Sequence, residues 1–160
     1  MNDNVLLTGG AGYIGSNIYL SLVESGFNPI IVDNFSRSNI SIISKLQKIT
    51  ERPVIYEKFD LINEDKLSRI IKKYEIKSVI HLAGYKSVAE SVTNPSIYYS
   101  NNLGILLSVL NVMLKENCNN FIFSSSASIY RQKKDLSSFN ENADLHYLNP
   151  YSHTKLIAEQ

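Results

Sequence analysis

The stretch Gly9-Gly-Ala-Gly12-Tyr-Ile-Gly15 constrains this chain more than any other. It follows the apolar triplet Val5-Leu6-Leu7, which reads as a buried strand. It precedes a helical pattern that runs from about residue 16 to 25 and stops at Gly26. The stretch satisfies G-x-x-G-x-x-G and, counted from Gly10, G-x-G-x-x-G. One glycine allows a tight turn, another lets backbone approach a pyrophosphate, and Gly15 lets the helix pack closely on the strand. The helix N-terminus then offers unpaired N–H groups and a partial positive charge to phosphate. A strand before and a helix after distinguish such a loop from a glycine-rich turn with no ligand.

The rest of the chain repeats this alternation. Residues 29–33 read as a second strand, and 53–59 as a third, whose proline and charges suit an edge. A helix follows over 63–74 with Leu67, Ile70 and Ile71 on one face. Residues 78–82 and 121–125 read as the fourth and fifth strands. Between them 97–115 forms a long helix, with Pro95 near its first turn. Asn149-Pro150 places an N-cap before a proline at the first position of a last helix. Strands alternating with helices predict right-handed crossovers and a doubly wound α/β fold, a parallel sheet with helices on both faces. Ligands of such sheets bind beyond the carboxyl ends of the strands.

Composition narrows the class. One hundred and sixty residues suit one domain with a sizeable core, and a hydrophobic share of 44% argues against disorder. Sixteen basic against fifteen acidic residues leave +1, which removes the electrostatic case for a nucleic-acid or membrane-surface partner. Cys118 is the sole cysteine, so neither an internal disulfide nor a multi-cysteine metal site is expected. Met1-Asn-Asp-Asn4 carries no basic segment before an apolar stretch, and the apolar runs are short for a bilayer. The expectation is a soluble, cytoplasmic protein.

Asp33 ends the second strand eighteen residues beyond Gly15. A carboxylate there accepts hydrogen bonds from adenosine ribose hydroxyls and repels a 2′-phosphate, which favours NAD over NADP even with Arg37 nearby. Asp60, ending the third strand, is placed to reach an adenine amino group or to serve as an ordinary turn residue. Tyr151-Ser-His-Thr-Lys155 puts a phenol and an ammonium four residues apart, on one helix face. Tyrosine is a poor base at neutral pH because its reference pKa is ~10. A nearby cation, here Lys155, favours the phenolate. Ser126, just past the fifth strand, supplies a hydroxyl for the substrate oxygen whose proton moves.

Taken together, these elements resemble the extended short-chain dehydrogenase/reductase superfamily, and within it the UDP-glucose 4-epimerase family. The resembling segments are Leu7-Thr-Gly-Gly-Ala-Gly-Tyr-Ile-Gly-Ser16, Asp33-Asn-Phe-Ser36 and His81-Leu-Ala-Gly-Tyr-Lys-Ser-Val-Ala-Glu-Ser91. Tyr98-Tyr-Ser-Asn-Asn102, Phe121-Ile-Phe-Ser-Ser-Ser-Ala-Ser-Ile-Tyr130 and Pro150-Tyr-Ser-His-Thr-Lys155 complete the set. The resemblance spans the whole chain but only the amino-terminal half of the family's length. It implies an NAD-binding Rossmann domain over 1–160, truncated before the carboxyl-terminal substrate domain that supplies most uridine-nucleotide and sugar contacts.

The implied reaction interconverts UDP-glucose and UDP-galactose through a 4-keto intermediate on tightly held NAD. The implied catalytic residues are Ser126, Tyr151 and Lys155, with Ser126 and Tyr151 on the substrate. The implied cofactor contacts are Gly9, Gly12, Tyr13, Ile14 and Gly15, then Asp33, Asn34, Phe35, Ser36, Arg37 and Ser38, then Asp60 and Leu61. They continue with Leu82, Ala83, Gly84, Tyr85 and Lys86, with Asn101, and with Ser126, Tyr151 and Lys155. No metal is implied, and full-length members are expected as homodimers.

Two departures from the family pattern stand out. Arg131, followed by Gln-Lys-Lys134, occupies the place of a usual glycine after Tyr130. The chain also stops at Gln160, inside the Tyr151 helix. Sugar 4,6-dehydratases place an Asp-Glu pair where this chain has Ala127 and Ser128, so water elimination lacks its catalysts here. A 4-epimerase of other nucleotide sugars remains an alternative, as does a truncated, non-catalytic NAD-binding module. Lacking half of the usual pocket, the isolated chain is expected to turn over poorly. His81 reads as a packing residue, His153 as pointing away from the catalytic face, and Cys118 as inert.

Overall fold

Strand β1 (Asn4–Thr8) lies at the centre of a five-stranded parallel sheet, and its buried residues explain why. Successive side chains of a strand point to opposite faces. Leu6 therefore enters a core with Ile30, Val32 and Val79, whereas Leu7 enters a second core with Ile31. Only a strand covered on both faces carries such a continuous apolar run. Strands β2 (Asn28–Asp33), β3 (Tyr56–Lys58), β4 (Ser78–His81) and β5 (Asn120–Phe123) complete the order β3-β2-β1-β4-β5. Leu6 stands in register with Ile30 on one side and with Val79 on the other. The computed structural model describes residues 4–130 and 141–160.

Two compact units emerge, Met1–Ala83 with Ile105–Ser124, and Gly84–Gly104 with Ser125–Gln160. The first holds the sheet and four helices. Helices α1 (Tyr13–Glu24) and α2 (Ser41–Thr50) supply Tyr19, Ile43 and Leu46 to the Leu7 core. Helix α3 (Glu64–Lys73) supplies Leu67, Ile70 and Ile71 to the Leu6 core. Its start and stop are written locally. The Asn63 side chain accepts from the Lys66 N–H at 3.0 Å, Glu64 and Asp65 fill the first turn, and Lys72 and Lys73 the last.

The second unit is helical. It contains α4 (Val88–Thr93), α5 (Pro95–Tyr98), a π-helical turn (Tyr99–Leu103), a 3-10 turn (Ala127–Ile129) and a last helix. The π-turn is followed by α6 (Gly104–Lys115), which gives Ile105, Val109, Val112 and Met113 to the Leu6 core of the first unit's own elements. The last helix, α7 (Pro150–Glu159), opens on the expected Asn149 cap. Ser152 and Asn149 bond reciprocally there, Ser152 N–H to Asn149 Oδ1 at 2.9 Å and Asn149 N–H to Ser152 Oγ at 3.2 Å.

The doubly wound reading holds, with differences in detail. Helix α1 begins at Tyr13 rather than near residue 16, because the glycine loop runs directly into it. Helices α2 and α4 have no counterpart in the sequence reading. Over Ser41–Thr50 the apolar residues Ile42, Ile43, Leu46 and Ile49 do recur at helical spacing, a signal the sequence reading passed over. Strand β3 pairs over three residues instead of seven, in keeping with its edge position beside β2. Strand β5 ends at Phe123, so Ser124 and Ser125 leave the sheet. The run Pro95–Lys115 is long and apolar enough to cross a membrane by length and composition, although its Val109 and Val112 are buried among core residues.

Leu67 is fully buried in the larger core. Leu67→Ala therefore lowers unfolding free energy by about 3 kcal/mol through lost burial and a cavity. Asn63→Ala removes only the cap and costs about 1 kcal/mol. Urea titration of both variants checks the ranking, and equal losses would contradict the packing described.

Candidate active site

The first unit gathers the phosphate-loop residues at the carboxyl ends of β1, β2 and β4. Gly9 has φ +67°, and a Cβ there would stand 2.8 Å from the Ala83 backbone. A Cβ on Gly15 would stand 2.5 Å from the Gly9 carbonyl oxygen. No side chain fits either place. Gly12 is the N-cap of α1 and has an extended backbone with no capping side chain, and the first turn holds no acid. Tyr13 and Ile14 are exposed beside it, 81% and 53%. The first turn of the helix thus carries no acid of its own to compete for its N–H groups, which suits a pyrophosphate.

Asp33 sits against this loop. Its Oδ2 accepts the Ala11 N–H at 3.1 Å, and its Oδ1 accepts the Phe35 N–H at 2.8 Å and the Ser38 hydroxyl at 3.0 Å. These bonds aim the carboxylate and hold the loop after β2. Asn34 donates to Asp60 Oδ2 at 3.0 Å, while Asp60 Oδ1 accepts the Ile62 N–H at 3.2 Å. Asp60 therefore does form a strand-end turn. Arg37 and Ser36 are exposed, and the Leu61 side chain is buried in the core, so Leu61 presents backbone rather than side chain.

Thr8 is a positioning residue that motif reading passed over. Its hydroxyl bonds His81 Nδ1 at 2.8 Å and accepts from the Leu82 and Ala83 N–H groups at 3.3 and 3.4 Å. His81 is buried, its ring 6.1 Å from both Phe121 and Phe123, as a packing residue would be. Cys118 is buried too, and burial pushes its thiol up against the lowering effect of Lys77.

The second unit holds the residues expected to carry acid–base chemistry. Ser126 is the N-cap of the 3-10 turn and Tyr151 opens α7; the two elements pack together. Ser126 Oγ lies 2.8 Å from Ser128 Oγ and accepts the Ser128 N–H at 3.2 Å. Lys155 is buried one turn beyond Tyr151, on the same face of α7. Burial alone pushes its ammonium down from 10.5 to about 8. Ser125 Oγ is buried and has no hydrogen-bond partner among the described residues. An orphaned hydroxyl of this kind costs about 1–3 kcal/mol unless something bonds it.

Asn102 organises this unit, although the sequence reading gave a role only to its neighbour Asn101. It is buried in the π-turn and uses its whole amide. Its Oδ1 accepts from the Tyr85 N–H at 2.7 Å and from Asn101 Nδ2 at 3.0 Å; its Nδ2 donates to the Tyr85 carbonyl at 3.0 Å and to Thr154 Oγ1 at 3.2 Å. The loop containing Gly84 and Tyr85 is thereby tied to α7, while Lys86 is exposed. The available signal was a polar pair, Asn101-Asn102, inside an apolar helical pattern. His153 points to another cluster, bonded to the Tyr99 hydroxyl at 2.8 Å and stacked on Tyr147 with centroids 3.8 Å apart. Arg131 and the basic residues after it lie outside the described residues.

Known proteins share this arrangement. A profile of the NAD dependent epimerase/dehydratase family matches residues 5–160. A UDP-glucose 4-epimerase of Dictyostelium discoideum is 40% identical over 159 residues, covering 99% of this chain and 46% of the relative. The crystal structure of a UDP-glucose 4-epimerase from Bifidobacterium longum in complex with NAD+ and UDP superposes with TM-score 0.93 at 39% identity, over 98% of this chain and 47% of that one. One from Stenotrophomonas maltophila, with bound NAD and formylated UDP-arabinopyranose, superposes with TM-score 0.94 at 32% identity, over 98% and 46%. The chain spans about half the length of the curated relatives it matches. On this match across nearly its whole length, the chain belongs to the NAD-dependent epimerase/dehydratase family.

Proposed function

We propose that the protein acts as a UDP-glucose 4-epimerase, inverting C4 of the hexose in UDP-glucose and UDP-galactose with NAD as a recycled cofactor. The observation that carries this reading is the buried Lys155 one turn from Tyr151, on a helix packed against the Ser126 turn, in a chain of this family. The phosphate loop from Gly9 to Gly15 and the Asp33 carboxylate would hold the dinucleotide. Asn34, Phe35, Ser38, Asp60 and the 82–86 segment would line its adenosine and nicotinamide halves. When bound, NAD supplies a reversible hydride acceptor for C4.

The chain's own residues move the proton. Tyr151 as phenolate takes the proton of the 4-hydroxyl, and Ser126 donates a hydrogen bond to the same oxygen. The Lys155 ammonium favours the phenolate, and its desolvated position makes that influence stronger than it would be in water. The resulting 4-keto sugar presents its other face, and Tyr151 returns the proton as the alcohol reforms with inverted C4.

Incubating the NAD-loaded protein with UDP-galactose and separating products by anion exchange tests this reaction. Slow but measurable formation of UDP-glucose is expected from this half-length chain, and Tyr151→Phe lowers that rate by about a hundredfold or more while NAD affinity stays within about twofold. Absence of UDP-glucose from the wild type would sink the proposal. So would full activity in Tyr151→Phe.

Lys155 also makes folding depend on pH. Its neutral amine suits the buried site, so the stability held in this group is complete above 10.5 and is lost as pH falls through about 8. Lys155→Met in the ligand-free protein should raise unfolding free energy by on the order of 1–3 kcal/mol near neutral pH. The gain should shrink to under about 1 kcal/mol near pH 10, where the folded-state lysine is already neutral. Urea melts at the two pH values decide it, and a gain independent of pH would contradict the desolvation described.

A further inference from the structure

Ser126 stands in an unusual relation to one neighbour. A hydroxyl has one proton to give and two lone pairs to fill. The Ser128 N–H, 3.2 Å away, takes one lone pair of Ser126 Oγ as an ordinary N-cap bond. That cap needs only the backbone of residue 128. The Ser128 hydroxyl makes a second contact with the same oxygen at 2.8 Å. Either hydroxyl can donate in that pair, so the geometry alone allows two directions.

We propose that Ser128 is a positioning residue for the proposed epimerase reaction: its hydroxyl donates to Ser126 Oγ and commits the Ser126 proton to the reacting 4-oxygen of the sugar. With both Ser126 lone pairs filled by residue 128, the only hydrogen-bonding capacity left on Ser126 is its proton. The 4-oxygen needs a donor throughout. As an alcohol it gives its own proton to Tyr151 and accepts on a lone pair; as a ketone it only accepts. A chain running Ser128 O–H to Ser126 O–H to substrate oxygen polarises each link and strengthens the last one as negative charge gathers on that oxygen. The reverse direction would turn the Ser126 proton away from the substrate. Ser128 acts through Ser126 and touches no reacting atom. The inference rests on the epimerase reading, because it gives the Ser126 proton a target.

The test is steady-state conversion of UDP-galactose by the NAD-loaded protein in the wild type, Ser128→Ala, Ser128→Thr, Ser126→Ala and the Ser126→Ala/Ser128→Ala double variant. Loss of one aligned donor lowers kcat by about tenfold in Ser128→Ala, with KM and NAD affinity within about twofold, and Ser128→Thr restores the rate. In the Ser126→Ala background the second substitution changes kcat by less than about twofold, because the partner it acts through is gone. Ser128→Ala keeping more than half of the wild-type kcat overturns this inference alone. So does a tenfold loss of NAD affinity in that variant, or additive losses in the double variant. A wild type with no turnover overturns the epimerase reading, and this inference with it.

Discussion

The turn from β1 into α1 has no room for a side chain, and much of the first unit follows from that. At Gly15 a Cβ would sit 2.5 Å from the Gly9 carbonyl, and at Gly9 it would sit against the Ala83 backbone. Helix α1 starts from this turn with no capping side chain and no acid in its own first turn. The ends of β2 and β4 close around the same point. Asp33 accepts from Ala11 of the loop, and the Thr8 hydroxyl reaches His81, Leu82 and Ala83. Parallel strands make this possible, since all their carboxyl ends lie along one edge.

The second unit is organised around buried polar groups rather than apolar ones. Asn102 satisfies all four of its hydrogen-bonding sites, and Thr154 passes the connection on to the Tyr151 carbonyl at 2.7 Å. Such a network is stable only when complete, since an unpaired polar group in a low-dielectric interior is costly. Nearby, burial disfavours the Lys155 ammonium, and the Ser125 hydroxyl has no hydrogen-bond partner among the described residues. Departures of this kind concentrate where a fold serves chemistry rather than stability, and they fall beside Tyr151 and Ser126.

Motifs with a local physical cause were legible before any coordinates. The glycine loop, the Asn149-Pro150 helix start and the Tyr151–Lys155 spacing each depend on residues a few positions apart. Helix α2 escaped notice although Ile42, Ile43, Leu46 and Ile49 recur at helical spacing, because isoleucine and serine have little helical preference of their own, and it is stabilised by placing Ile43 and Leu46 in the Leu7 core. Strand β3 was drawn too long for the complementary reason. Its propensity extends over Pro53 to Phe59, but a strand lasts only as far as its neighbour pairs with it, here Ile31 to Asp33.

From the residues alone came the alternation of strand and helix, the glycine loop between β1 and α1, and the spacing that puts Tyr151 and Lys155 on one helix face. Each is set by backbone sterics or by the period of a helix, which act between near neighbours. The tertiary structure decided the strand order, the saturation of Asn102 by residues as far apart as Tyr85 and Thr154, and the pKa of Lys155. Desolvation and long-range hydrogen bonds belong to the packed assembly. No stretch of chain specifies them until distant segments meet.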